Sequence, residues 1–406
     1  MVKKLSVDLN IGNRTYKVGE LVAESKSIFF KYEAQFLDKE IEISPFKLKC
    51  SDQIYKAPTE PFEGLFGVFY DSLPDGWGRL LFDRAMISKG LYLSSISMLD
   101  RLSYVGTNGM GALSYTPISE IENVLPNDFE LDNIHQSVNQ VLDGDFSDIL
   151  EQLYQLGGSS GGARPKIVVG YHPLNNHLIY GVDELPEGYE HWIIKFPSSF
   201  DPIDIAEIEF VYYQLAIKAG IEMQPSQLFY GKSGKAFFGS KRFDRIGNTR
   251  LHSHTAAGML GDNFRLSTMD YGHLLDATYK LEKNIQSLDK VFKLAAFNLF
   301  SHNLDDHSKN FSFLMDHTGK WKFAPAYDLT FSQTGHGFHS TTYDGEGKNP
   351  SEKQLMQLAS YFKIKNARQI IDEVKTSIDS WNLTAKNVGL NNSTITTIQK
   401  QFNQIK

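Results

Sequence analysis

Asp305-Asp306-His307-Ser308-Lys309-Asn310, a strand-like apolar run after it, and then Ala326-Tyr327-Asp328 form one connected phrase of this sequence. It sets an Asp, an Asn five positions on (310 minus 305) and a second Asp beyond a hairpin. A loop built this way presents its first carboxylate to a substrate hydroxyl while its next turn offers an amide oxygen to a cation. The carboxylate at the end of the following strand then closes the cation site from the opposite side.

Protein kinases place a catalytic base and two Mg²⁺ ligands in this order, so the spacing points to phosphoryl transfer from ATP. Asp305 is the candidate base, and Asn310 and Asp328 are the candidate metal ligands. The competing interpretation is an ordinary polar turn followed by a helix-capping Asp328, and the spacing alone does not separate the two.

Composition permits an enzyme of this kind. The chain has 406 residues, 41% apolar and 22% charged, which is long enough for two or three domains around a large core. Its 41 basic and 48 acidic residues leave a net charge of −7, which argues against coating nucleic acid by itself and leaves room for DNA contact shared with a partner. The single cysteine, Cys50, excludes an internal disulfide framework. No apolar run approaches a membrane span and no signal core follows Met1-Val-Lys-Lys, so no membrane association and a cytoplasmic location are expected.

The first third (1–117) reads as a β-rich subdomain. Lys4 to Asn10, Thr15 to Ala23, Ser27 to Phe36 and Ile41 to Leu48 alternate roughly between turn signals such as Gly12-Asn13, predicting a strand meander. Asp71-Ser-Leu-Pro-Asp-Gly-Trp-Gly78 reads as a turn opening a helix over Arg79 to Ser88, with Asp71, Asp75 and Asp83 as caps and turn residues. Leu102 to Val105 and Met110 to Tyr115 read as a hairpin through Gly106-Thr-Asn-Gly109. Residues 118–150 look like a helical connector.

The segment 151–245 has the grammar of a nucleotide-binding β lobe. Gly157-Gly-Ser-Ser-Gly-Gly162-Ala-Arg-Pro-Lys166 leads into short strands at Ile167 to Gly170, Leu178 to Tyr180 and Trp192 to Phe196. Glycines let backbone N–H groups approach phosphate, and Arg164 or Lys166 would add positive charge. The run matches neither the Walker A pattern nor Gly-x-Gly-x-x-Gly, and a surface linker would look similar. Lys195 ends an apolar strand, and the helix expected over Ala206 to Gly220 carries Glu209 at the edge of its apolar stripe, with Glu207 as a rival. Such a Lys–Glu pair orients phosphates in kinases. A hairpin then runs into Lys241-Arg242-Phe243, a candidate hinge for adenine.

The last third (246–406) is mainly helical in period, at Leu274 to Leu281, Asp289 to Phe300, Glu352 to Tyr361 and Ala367 to Trp381. Gly157-Gly-Ser159-Ser-Gly161 matches a hydrolase nucleophile elbow only formally, because helix precedes it and strand follows. His252, His254, His302, His307, His336 and His339 invite a metal-hydrolase test, yet His302 and His307 miss the i,i+4 spacing of a helical zinc pair.

Taken together, the Gly-rich run 157–166, Ile194-Lys195-Phe-Pro197, Arg242-Phe-Asp-Arg245, Asp305 to Asn310, Ala324-Pro-Ala-Tyr-Asp328 and Asp71 to Gly78 resemble the HipA-type serine/threonine kinase toxins of bacterial toxin–antitoxin systems, over nearly the whole chain. The resemblance implies an α+β, bilobal protein-kinase-like fold with an N-terminal β-rich subdomain. It implies ATP contacts at Gly161, Gly162, Ala163, Arg164, Pro165, Lys166, Lys195, Glu209, Lys241, Arg242, Phe243, His307, Ser308, Lys309, Asn310, Tyr327 and Asp328, with Mg²⁺ on Asn310 and Asp328 and Asp305 as base. It further implies inhibitory autophosphorylation at Ser159, with Ser160 a close rival. Its partners would be a HipB-like antitoxin that carries the contact with operator DNA, and a protein substrate such as an aminoacyl-tRNA synthetase. The sequence departs from some relatives at Arg164-Pro165, where they carry Gln-Glu. A small-molecule kinase of related fold and a catalytically silent partner in a repressor assembly are the alternatives.

Overall fold

The computed structural model describes residues 2–119, 129–144, 149–157, 162–181, 183–199, 201–333 and 337–405. The N-terminal sheet begins as the alternation demands. Leu5, Val7, Leu9 and Ile11 of β1 (Lys4–Ile11) all point into the core. β1 lies between β2 (Arg14–Glu24) and β5 (Leu113–Thr116); β3 (Ser27–Tyr32) and β4 (Ile54–Lys56) extend the sheet in the order β4-β3-β2-β1-β5. Phe30 packs on Phe69 of the short Gly67–Tyr70 helix at 5.0 Å between ring centroids, which fixes the Asp71–Gly76 turn that follows.

Three local expectations fail here for identifiable reasons. The third strand stops at Tyr32 and the chain turns into a helix at Ala34–Leu37. Residues 41–48 form no strand, although Ile41 and Ile43 are buried. Pro45 withholds a ladder donor, and two carbonyls there are taken by side chains from the C-terminal part: Glu42 O by Trp321 Nε1 (3.1 Å) and Ile43 O by His252 Nε2 (2.9 Å). Leu102 to Val105 is the end of a helix, Met98–Val105, started by a reciprocal Ser97–Asp100 capping box, so the expected hairpin does not exist and β5 pairs with β1 instead.

The second sheet is antiparallel throughout, with β6 (Lys166–His172), β7 (His177–Tyr180), β8 (Glu190–Lys195), β9 (Ser226–Tyr230) and β10 (Ala236–Lys241) in the order β7-β6-β8-β10-β9. The Ile205–Lys218 helix buries Ile208, Val211, Tyr212 and Leu215, the stripe read from the sequence, and Glu209 with them. A ribbon of β11 (Arg245–Ile246) and β12 (Thr249–Arg250) leads to the C-terminal part.

There the Gln286–Phe300 helix runs through the core, buried along one unbroken stretch from Leu294 to Phe300. Tyr271–Glu282, Glu352–Phe362 and Ala367–Asp379 pack around it. A new helix starts at Trp381 and does not continue the preceding one. A three-stranded sheet of β13 (His252–Thr255), β14 (Ser312–Met315) and β15 (Trp321–Phe323) completes the lobe. The polar loop 301–310 thus joins the core helix to β14, and Asp328 follows β15.

Candidate active site

A cleft of about 880 Å³ opens where the N-terminal module, the β6–β10 sheet and the helical lobe meet. Its wall includes Gly162, Lys166, Lys195, Phe243, Lys309, Asn310, Tyr327 and Asp328, drawn from segments far apart in the chain.

Lys195, at the end of β8, donates to Glu209 Oε2 (2.7 Å) and to Asp328 Oδ1. Glu209 also accepts from Arg164, whose other nitrogen reaches Asp201 at 3.1 Å. The sequence left Glu207 as a rival, and Glu209 is the residue that faces the lysine. Burial works against the Lys195 charge, but Asp328 and Glu209 outweigh it and raise its pKa. Burial likewise pushes the Asp328 carboxyl up, and Lys195 and Lys166 overcome it, holding that carboxyl far below its ordinary range. Lys166 is buried and its own pKa falls for that reason. Asp328 adopts φ +57°, a left-handed conformation in which Asp is among the tolerated residues.

The loop 301–310 is held by a relay that runs from the surface into the core. Asp305 N donates to Ser332 Oγ (2.9 Å), Ser332 Oγ to Asn303 Oδ1 (3.0 Å), Asn303 Nδ2 to Asn298 Oδ1 (3.0 Å), Asn298 Nδ2 to the Tyr271 hydroxyl (2.8 Å) and Tyr271 to Asp306 Oδ2 (2.9 Å). Asp306 also accepts from His339 Nδ1 (2.9 Å), Ser340 N (2.8 Å) and Thr341 N (3.1 Å), so this buried carboxylate anchors the loop. Its neighbour Asp305 turns outward with 58% of its side chain exposed, 3.9 Å from His307 Nε2. The protein walls around it raise its pKa, His307 opposing and the Asp328 charge reinforcing. Asn310 Nδ2 donates to the Asp305 carbonyl (2.7 Å). That bond commits its nitrogen and leaves its oxygen, the atom a hard cation takes.

Not every expected nucleotide contact faces the cleft. Ser308 is fully buried and donates to Asp262, a structural role. Pro165 is buried and its carbonyl accepts from Phe196 N at 2.8 Å. Lys241 and Arg242 do stand in the cleft wall, where the Arg242 guanidinium pairs with Asp244 (2.9 and 2.7 Å) and the Lys241 and Arg242 amides donate to Pro225 O (2.9 Å) and His191 O (2.8 Å). Lys241 Nζ pairs with Glu190 at 2.7 Å. The aromatic face of the site is Phe243 against Tyr327, 5.0 Å between centroids, with the Tyr327 hydroxyl donating to Lys309 O at 2.7 Å. Ala163 lies in the cleft wall, as does His307. Gly161, Ser159, Ser160 and His336 lie outside the described residues.

Asp71 and Asp75 take the expected positions at the end of the Gly67–Tyr70 helix and the start of Gly76–Ser88, but their carboxylates bond elsewhere, and Asp83 lies inside that second helix and is neither cap nor turn. Asp75 stands at the start of the Gly76–Ser88 helix without capping it, and accepts instead from Gly162 N and from Lys309 Nζ (2.6 Å). Asp83 pairs with Arg101 at 2.8 Å. Asp71 accepts from Thr255 N and Oγ1 (2.7 Å each) and meets His254 Nδ1 at 2.6 Å, while His254 Nε2 lies 3.0 Å from Ser44 Oγ. The order is that of a Ser–His–Asp triad. With Ser44 1% and His254 0% exposed, no substrate reaches it, and the trio acts as a strut between modules. His252 bonds Ile43 O, His302 meets Ser332 O and His339 meets Asp306, so these histidines have separate structural partners. Among the described residues no group of three or more His, Cys, Asp or Glu gathers as a metal cluster, and no helix is long and apolar enough to cross a membrane.

Fold and site define a mixed α/β protein in which two five-stranded sheets and a helical lobe surround one cleft. Residues 158–381 match the HipA-like C-terminal domain and residues 9–116 the HipA N-terminal domain; the chain belongs to the HipA family. A chain in the complex of HipA, HipB and operator DNA from Shewanella oneidensis MR-1 has the same fold, with a TM-score of 0.65 at 16% identity over 98% of this chain and 95% of that one. The proinflammatory kinase CtkA of Helicobacter pylori aligns at a TM-score of 0.34 and 13% identity, over 53% of this chain and 87% of that one. No curated protein matches the chain.

Proposed function

We propose that this protein is a HipA-type toxin kinase that moves the γ-phosphate of ATP to a serine or threonine of a protein target. The observation that carries the reading is that Asn310 and Asp328 share one cleft wall with Lys195, the partner of Glu209, while Asp305 is tied to Asn310 through its carbonyl and lies near enough to feel the Asp328 charge. Asp305 is the general base. It is exposed to an incoming hydroxyl, its backbone is fixed by Ser332, and its raised pKa makes it a better proton acceptor than an ordinary aspartate. The Asn310 oxygen and the Asp328 carboxylate suit Mg²⁺, which when bound would neutralise charge on the phosphates. Lys195 and Lys166 attract the triphosphate, and the Phe243–Tyr327 face suits a stacked base.

Family likeness extends the proposal to a HipB-like antitoxin that carries the operator DNA contact, an aminoacyl-tRNA synthetase as protein target, and self-phosphorylation at Ser159 or Ser160. Up to about two added negative charges there would repel ATP phosphates and switch the enzyme off.

Incubation with labelled ATP, Mg²⁺ and cell extract is expected to label a protein, while metabolite acceptors stay unlabelled. Asp305→Ala is expected to bind ATP as before and to lose about 10²–10⁴-fold in transfer rate. Undiminished labelling by that variant would remove Asp305 from its role. Intact ATP after long incubation of the parent protein would sink the kinase reading itself.

A further inference from the structure

The N-terminal module reaches into the phosphate end of the cleft through one turn. Asp75 is 9% exposed and both its oxygens are engaged: Oδ1 accepts from the Gly162 amide at the end of the glycine-rich run, and Oδ2 from Lys309 Nζ at 2.6 Å, across 234 positions of sequence. The next residues press on the same backbone. Trp77 N donates to Gly162 O at 3.2 Å, and a Cβ on Gly76, at φ +40°, would stand 2.3 Å from Ala163 Cα. Only glycine allows that approach. Lys309 is further confined between the rings of Phe264 (4.5 Å) and Tyr70 (5.1 Å).

A buried carboxylate beside a triphosphate would ordinarily repel it. Here its charge is neutralised by an ammonium and an amide, and each of those groups also belongs to the cleft wall. An ammonium carries three N–H donors and Asp75 takes one. We infer that Asp75 is a positioning residue for the nucleotide's phosphates: it aims Lys309 and fixes Gly162, so that the N-terminal module completes the phosphate site. Burial opposes the Asp75 charge, but Lys309 and the Gly162 amide lower its pKa, in keeping with a permanently ionised anchor.

This inference rests on the ATP reading of the cleft, and one binding experiment separates the two. Affinities of the full chain for ATP with Mg²⁺ and for adenosine are measured by calorimetry on the parent protein, Asp75→Asn, Lys309→Met and the double variant. Asp75→Asn is expected to weaken ATP about tenfold, the size of one charge-assisted hydrogen bond, with adenosine unchanged. Adding it to Lys309→Met is expected to weaken ATP by much less than a further tenfold. Asp83→Asn, on the same helix but paired to Arg101, is expected to leave the ATP-to-adenosine ratio unchanged.

Failure of the parent protein to bind ATP would overturn the kinase reading. Parent-like ATP affinity in Asp75→Asn, equal losses for ATP and adenosine, or fully additive losses in the double variant would overturn the positioning role alone. Should Asp75→Asn not fold, Asp75→Glu takes its place, and an unchanged ratio in Lys309→Met also counts against the inference.

Discussion

Two ion clusters in this molecule use the same chemistry to opposite ends. Around Asp244, which is 0% exposed, Arg242 and Arg245 donate at 2.7–2.9 Å and Gly111 N adds a bond at 2.7 Å. Around Glu209 and Asp328, Lys195 and Arg164 make comparable bonds, yet Asp328 keeps 31% of its side chain open to the cleft. Asp244 itself is sealed, and with the Arg245 bond to Gly111 O (3.0 Å) its cluster clamps the N-terminal module to the segment that leaves the second sheet. Under the proposed function the second cluster trades partners when a charged ligand arrives. Access to the cleft separates the glue from the chemistry.

That contrast is broken most directly by neutralising one charge in each cluster. Lys195→Met removes a preorganised cation from the proposed phosphate site and is expected to lower transfer at least about 10²-fold while the protein melts near its usual temperature. Asp244→Asn leaves two buried arginines facing each other and is expected to cost about 3–5 kcal/mol of stability, with transfer per folded molecule nearly intact. Denaturant titration and single-turnover labelling of both variants check this. A stable, inactive Asp244→Asn protein would show that the sealed cluster is catalytic after all.

The contrast also explains what could be read in advance. Lys195, Glu209 and the Asp305–Asn310 spacing were legible because each lies in a local pattern: a strand end, a helix stripe, a loop of fixed length. Asp75, Asp244 and Asp306 were not, since their roles depend on partners such as Lys309, Gly111 and His339, which the folded topology alone brings near. Arg242 lies in the cleft wall as expected, and its pairing with Asp244 is what local sequence does not announce. The misread 102–105 segment is different. Ser97-Met-Leu-Asp100 is a capping-box signal that was present in the sequence, and four apolar residues cannot tell helix from strand without it. The 41–48 segment shows that alternation reports burial and not pairing, because Pro45 and borrowed side-chain donors replaced the ladder.

Acid provides a gentler test of the same comparison. His191 sits beside the sealed cluster, and burial together with Arg242 and Arg245 lowers its pKa from 6.5 to about 4. Burial does the same to His252, again to about 4. The unfolded chain therefore takes up protons that the native state refuses, so stability is expected to fall as pH drops from 6.5 toward 4, by roughly 1–2 kcal/mol for each histidine at pH 5. Asp244 and Asp328, whose native pKa values are depressed, keep their contributions until the pH falls below the ordinary aspartate value of 3.8. Denaturation curves at pH 7 and pH 5 on the parent protein and His191→Gln should show part of this loss vanish in the variant. An equal loss in both would mean that His191 is not a source of the acid sensitivity.

The smallest expected effect lies at the proposed base. Asp305 has a raised pKa, so its ionised form is favoured less in the native state than in the unfolded chain, and at neutral pH its charge works against folding. The carboxylate is 58% exposed and solvent screens most of this, which keeps the effect small. Asp305→Asn is therefore expected to gain about 0.5 kcal/mol or less while abolishing transfer, a stability–function trade confined to the open side of the molecule. The opposite sign, a loss of stability comparable with that of Asp244→Asn, would mean that Asp305 is held by the fold as tightly as Asp306 is. The division between sealed and open charges would then fail at the residue where it matters most.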